Sequence, residues 1–350
     1  MVGVIRLLTY GAIFWLTLQH CRNAANARRA MVLLVVAGLG YAAYGLVVEF
    51  TGMDKVLWFD KKHYVGSLTG TFINRNSFAA YLGLILICCI ALSRSRIKKT
   101  MLKNAGHDAD RISAAFLVDV IPEIIRRDWF WIIAPVILFA ALMLTESRGG
   151  IATTIFGIAV LALALGRTSK RGQGYLLSAV LTGLGILAIT AFVLSGGEIL
   201  SRFSGMEGMG EGDNQRMFLY RLTLDMIAEQ PLVGTGLGTF AEIFPIFRAN
   251  PYYYNIMAHN TYLETALELG IPAFLCLLAA IAVAGRMCWR ACRTRQQSQT
   301  YPAVGIAVLA QLSAHSLIDF SLQIPAVALT FTFLLAIGCA QSWSSRQSTG

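Results

Sequence analysis

Four side chains carry the chemistry most readily read from this sequence: Arg148, Arg216, Arg221 and His259. Arginine presents a planar fork of donors that never loses its charge, and the fork binds phosphoryl oxygens two at a time. Histidine, with an ordinary pKa near 6.5, suits taking up a proton near neutrality. Arginines beside one neutral base therefore fit a substrate whose phosphorylated leaving group gains negative charge while a hydroxyl nucleophile loses its proton. Glycosyl transfer from a polyprenyl pyrophosphate is such a reaction. The sugar C1–O bond breaks, the pyrophosphate keeps the electron pair, and attack from the opposite face inverts the anomeric centre. Arginines can do there the work often given to a divalent metal, so no metal ion and no other cofactor is expected.

Each residue also has a plainer reading. Arg148 lies in the short hairpin TESRGG at 145–150, where an arginine at membrane depth serves equally as a snorkelling anchor. His259, in AHNTYLETALELG at 258–270, sits beside Asn260 with Glu264 and Glu268 below it. A lone interfacial histidine is more often structural, and only the company of the arginines raises its functional weight. Asn74, Arg75 and Asn76 in TGTFINRNSFAAY form either a helix cap with an interfacial arginine or an anion-contacting helix start. Arg216 and Tyr220, at i and i+4, share a helix face from which Arg221 projects away. His315, Asp319 and Gln323 make a further polar strip, for which hydrogen bonding that holds the bundle together is at least as good a reading. Gly234, Gly236 and Gly238 in PLVGTGLGTF imitate a phosphate loop, but without a βαβ context or a Lys-Ser/Thr pair a turn between two helices accounts for them better.

The elements that must position these residues are membrane helices. Of 350 residues 56% are hydrophobic and 14% charged, with a mean hydropathy of +0.61. Soluble domains average about 45–50% and about 25%, so a soluble protein is excluded. A span needs about 20 mostly apolar residues. Nine such stretches are present, at roughly 2–19, 31–50, 76–93, 129–146, 151–166, 175–195, 261–285, 302–320 and 325–343. The segments between them form two alternating sets, one with nineteen basic and five acidic residues, the other, with its flanking helix ends, with nine basic and fourteen acidic. Cytoplasmic loops collect Lys and Arg, so the first set, including the linker at 94–128, is expected inside. The second set, with a large segment at 196–260, is expected outside and holds every residue named above. The net charge of +10 is thus an address, not a nucleic-acid signal. All seven cysteines fall in spans or on the basic side, and Cys288 and Cys292 have no nearby His or further Cys, so neither an external disulfide nor zinc is expected.

Five blocks give this pattern a resemblance: GTFINRNSFAAYL at 70–82, ESRGG at 146–150, QRMFLYRLTLDMIAEQPLVGTGLGTF at 215–240, AHNTYLETALELG at 258–270 and HSLIDFSLQIPA at 315–326. In this order they resemble the O-antigen ligase and polymerase family of bacterial glycan transferases. The resemblance implies an all-α polytopic fold of the GT-C-like kind, one membrane domain over 1–350 with a helical periplasmic loop, in the bacterial inner membrane. It implies an undecaprenyl-pyrophosphate-linked glycan as donor and a hydroxyl-bearing glycan, lipid or protein as acceptor, without nucleotide sugar or metal. It also puts Arg148 and Arg216 on the pyrophosphate and makes His259 the base, with Arg221, Arg75, Asn76, Tyr220 and Asn260 in supporting contact with substrate. Related sequences often carry Trp where Tyr220 stands. They usually have about a dozen spans, so a chain of nine is expected to lack N-terminal helices of the parent topology.

The acceptor separates the expected activities. A ligase transfers the glycan to lipid A core or another terminal carrier, a polymerase to another lipid-linked repeat, and a protein O-oligosaccharyltransferase to protein hydroxyls. A transporter or flippase of lipid-linked glycans would use the arginines and need no base.

Overall fold

The computed structural model describes residues 2–105, 114–166, 211–248, 256–295 and 298–343. The helices in chain order are α1 (Val2–His20), α2 (Ala24–Phe50), α3 (Arg75–Ala105), α4 (Ala114–Leu144), α5 (Arg148–Gly166), α6 (Glu211–Glu229), α7 (Phe240–Phe247), α8 (Thr261–Leu269), α9 (Ile271–Thr294), α10 (Thr300–His315) and α11 (Pro325–Ala340). A 3₁₀ turn, Ser321–Gln323, precedes α11. The departure from an all-α chain is small: Lys55–Val56 and Phe59–Asp60 pair as an antiparallel ribbon between α2 and α3.

α3 is the axis of the bundle. In its most apolar stretch 94% of residues are buried, against 11% in α1, which leaves Ile5, Leu8, Trp15 and Leu16 exposed at the periphery. α3 is enclosed by α2, α4, α5, α10 and α11, while α1 closes the chain back onto α11. Lipid tails are as apolar as leucine, so close packing and hydrogen bonds, not hydrophobicity, must drive spans together. Small residues supply the close approach. A Cβ on Gly305 would lie 3.1 Å from the Cα of Gly338, and one on Gly83 would meet Thr154 and Gln311 at 2.2 Å. Gln311 Nε2 donates at that crossing to the Ala80 carbonyl (3.1 Å), which joins α10 to α3 inside the apolar core.

The loops segregate to two ends. At one, Leu68 N donates to the Leu144 carbonyl (3.0 Å), Thr261 N to Ser316 O (2.9 Å) and Ile271 N to Pro231 O (2.8 Å). At the other, Tyr301 donates to the Ala24 carbonyl (3.1 Å) and Gln341 to that of Cys21 (2.6 Å). Arg96 pairs there with the buried Asp128 (2.9 Å) at a kink in α4. This is the alternation that the charge pattern predicts.

The expected count of nine spans is not carried by the structure. Among the described residues six helices are long and apolar enough to cross a membrane. The stretch at 175–195 lies outside the described residues, as does most of the opening of the 196–260 segment. The expected span at 261–285 divides at Gly270 into the short α8 and the longer α9, because Gly270 takes φ +75° and Pro272 starts a new helix. The last two expected spans are helices of 16 residues, α10 and α11. At 1.5 Å per residue each reaches about 24 Å, short of a hydrocarbon core of about 30 Å. The 94–128 linker is helical at both its ends, since α3 runs on to Ala105 and α4 begins at Ala114.

Candidate functional site

The site grows from the starts of three helices and one turn. Asn74 caps α3, its side chain accepting from Asn76 N (2.7 Å), which sets Arg75 and Asn76 on the first turn. Arg75 donates to Glu146 (3.2 Å) and to Ser67 Oγ (3.2 Å) and lies over the Tyr64 ring, 5.4 Å from its centre. Its charge is therefore largely matched by a carboxylate. Asn76 is a bridge: its amide donates to Asp319 (2.6 Å), and its oxygen accepts from Ser147 Oγ (2.8 Å). One amide thus ties α3, the hairpin before α5 and the turn after α10.

Arg148, the first residue of α5, and Arg216 on α6 line a cavity of about 360 Å³ together with Asn76, Glu146, His315 and Asp319. Arg216 makes no ion pair with a carboxylate among the described residues. Asp319 is buried, with its second oxygen accepting from Phe320 N (2.6 Å). Alongside is a larger cavity of about 1010 Å³, lined by His259 and by aromatic and polar side chains that include Tyr41, Phe72, Asn74, Tyr81 and Phe320. Tyr64 belongs to both, and neighbouring residues divide between them, with Asp319 in the first and Phe320 in the second. Both volumes lie in the range of ligand pockets.

His259 holds its place under backbone strain. Its φ is +55°, and five non-glycine residues among those described take a left-handed φ. Three of the five, Tyr64, Glu146 and His259, line these two cavities. Such conformations cost about 1–3 kcal/mol each and gather where function requires them. The neighbours lock the histidine in place. Tyr220 donates to its carbonyl (3.0 Å), and Phe320 meets its ring edge-on at 4.9 Å. Burial pushes the imidazole below its ordinary pKa, Asp319 pulls it back up, and Arg216 pushes it down again. The balance favours a neutral ring, the form a base needs.

The supporting residues divide. Asn260 is fully engaged as the cap of α8, accepting from Tyr262 N (3.0 Å) and Leu263 N (3.1 Å) and donating to the Leu317 carbonyl (3.1 Å). Tyr220 fastens α6 to the His259 loop, on the face it shares with Arg216. Arg221 is exposed and lines neither cavity. The polar strip of the sequence is the keystone: Asp319 meets Asn76, and its carbonyl accepts from Thr261 Oγ1 (3.0 Å).

The three glycines do form a turn between helices, joining α6 to α7. It wraps the C-terminal end of α8: Thr235 N donates to Leu267 O (3.0 Å) and Gly236 N to Glu268 O (2.9 Å). Glu268 in turn accepts from Phe240 N (3.3 Å) at the start of α7, and its pKa is raised by burial in spite of the backbone donors around it. Glu264 accepts from Ala258 N (2.8 Å), and burial pushes it up to about 8. Glu146, Ser147, His315 and Tyr64 were not among the site residues expected from sequence. Glu146 and Ser147 stand next to Arg148, and that adjacency is the one signal that could have found them. Among the described residues no three His, Cys, Asp or Glu side chains come together as a metal site would require.

The fold and site define a multi-pass helical membrane protein that gathers arginines, histidines and carboxylates around paired cavities at one end of its bundle. Within that class, residues 133–278 match the family model Wzy_C, O-antigen ligase, the family that the motifs resemble. The family supports a glycan-transferring activity of the ligase or polymerase type. The matched stretch contains Arg148, Arg216, Tyr220, Arg221, His259 and Asn260. Arg75, Asn76, His315 and Asp319 lie outside it and join the site through the fold. No curated protein matches the chain.

Proposed function

We propose that the chain transfers a glycan from undecaprenyl pyrophosphate to an acceptor hydroxyl at the periplasmic face of a bacterial inner membrane, as an inverting, metal-independent enzyme of the O-antigen ligase type. The observation that carries this reading is the convergence of Arg148 and Arg216, from different helices, on one cavity beside the cavity that holds His259. In this reading Arg148 and Arg216 hold the pyrophosphate and oppose the charge that grows as the C1–O bond breaks. His259 takes the proton of the acceptor hydroxyl as its oxygen attacks C1 from the opposite face. The products are the glycosylated acceptor and undecaprenyl pyrophosphate, and His259 returns its proton to water. The aromatic wall of the larger cavity suits the apolar faces of sugar rings. A polymerase or a protein O-oligosaccharyltransferase would use the same steps with a different acceptor.

Purified protein given an undecaprenyl-pyrophosphate oligosaccharide and candidate acceptors, without added metal, tests the reading through the product formed. His259→Ala is expected to lower transfer about 10²- to 10⁴-fold, the usual contribution of a general base, with donor binding intact. A transporter would keep most of its flux in that variant. Arg216→Ala is expected to weaken both donor binding and turnover, and Arg216→Lys to rescue poorly because the fork is lost. Wild-type activity in Arg216→Lys, or a product of retained configuration, would remove the assignment.

A further inference from the structure

Among the described residues His315 is the one imidazole that shares a cavity with both arginines assigned to the pyrophosphate. It ends α10, with only 1% of its surface exposed. Two structural uses would explain a buried histidine there, and neither gives its Nδ1 a hydrogen-bond partner. A helix C-terminus has carbonyls to satisfy, but the main chain does this at α10: Ser316 N donates to Leu312 O (2.9 Å), and Asp319 N and Ile318 N both donate to His315 O (3.0 and 3.1 Å). Pairing with Asp319 is the second use, yet that carboxylate takes its hydrogen bonds from Asn76 on one oxygen and from Phe320 N on the other. The ring's Nδ1 is buried without a hydrogen-bond partner. A buried polar atom left so is costly and calls for an explanation in ligand or function. The cavity that His315 lines is also lined by Arg148, Arg216 and Arg75 as cations and Glu146 and Asp319 as anions, with Asn76 and Ser147 as neutral polar groups.

We infer that His315 is a further substrate-contacting residue of this site, a hydrogen-bond donor from its imidazole N–H to a non-bridging oxygen of the pyrophosphate group. The inference rests on the reading of this cavity as the pyrophosphate site. No proton is transferred by His315: the acceptor's proton goes to His259, the electron pair of the C1–O bond goes to the pyrophosphate, and the imidazole N–H stabilises that leaving group through a bond that shortens as charge builds. The two histidines then divide the reaction, His259 on the acceptor side and His315 on the side of the departing carrier.

The test uses the full chain in detergent or nanodiscs and undecaprenyl pyrophosphate without glycan as the binding probe, alongside turnover with the glycosylated donor. His315→Ala is expected to weaken probe binding about tenfold and to lower kcat with the acceptor KM unchanged. His315→Asn, whose amide puts an N–H donor at the Nδ1 position, is expected to recover most of both, whereas His259→Asn recovers nothing because an amide is no base. In the wild-type protein, which needs no substitution to stay folded, the probe is expected to slow deuterium exchange at the ring C2 position of His315. Unchanged exchange there, or wild-type probe affinity in His315→Ala, or an Asn variant as damaged as the Ala variant, overturns the inference. Failure of the underlying reading is separate: it is the case in which wild type does not bind the probe or Arg216→Ala binds it as well as wild type.

Discussion

His259 works as a base only if its ring is neutral and its lone pair is held in place, and both conditions come from its neighbours. Burial and Arg216 oppose protonation, while Asp319 favours it. The acid limb of kcat/KM against pH is therefore expected below the ordinary histidine value of 6.5. Asp319→Asn removes the charge that favours the imidazolium, so the limb should move to still lower pH. A pH–rate profile checks this, and a limb that does not move would show that Asp319 does not act on the catalytic ring. The residue types were legible in sequence, since arginines and one histidine near the same membrane face already suggest phosphate chemistry. Their partners were not. Asn76 and Asp319 meet across 243 residues of chain, and nothing local to either marks the other. Asn260 adds a duty that its place beside His259 does not reveal: its side-chain oxygen caps α8.

Among the elements, the α6–α7 turn and the junction of α8 with α9 fix the height at which His259 enters the site. Gly234 takes φ +69°, and a Cβ there would stand 2.4 Å from Gly270 N and 2.6 Å from Leu267 O. Gly234→Ala meets backbone that cannot yield, besides the cost of a left-handed alanine. A marked loss of thermal stability is expected, read as a lowered Tm in detergent. Gly236→Ala is the control within the same turn. Its φ of +105° is also strained for alanine, but its Cβ would meet only the Thr239 methyl at 3.4 Å. Its loss should be the smaller of the two, and equal losses would place the effect in φ alone. That this segment turns was readable from its glycines and proline. Which glycine is indispensable depends on α8, whose carbonyls it touches.

For the molecule as a whole, the division of basic and acidic loops predicts that the site opens away from the cytoplasm. An alkaline phosphatase reporter, active only when exported, is expected to be active when fused at His63 and inactive at Arg295. The opposite pattern would invert the topology and put the cavities on the cytoplasmic side. The bundle carries the two loop sets at opposite ends, joined on one by Leu68 to Leu144 and on the other by Tyr301 to Ala24.

Membrane residence, helical architecture, the alternation of loops and the arginine and histidine types were determined by sequence alone. Each of these depends on composition or on local periodicity, which a chain carries whatever its neighbours do. Span lengths, the pairing of Arg75 with Glu146, the capping duty of Asn260 and the entry of His315 into the arginine cavity were decided by tertiary structure. Hydrogen bonds and ion pairs are directional and short in range, so which polar groups remain for a substrate depends on which helices lie side by side.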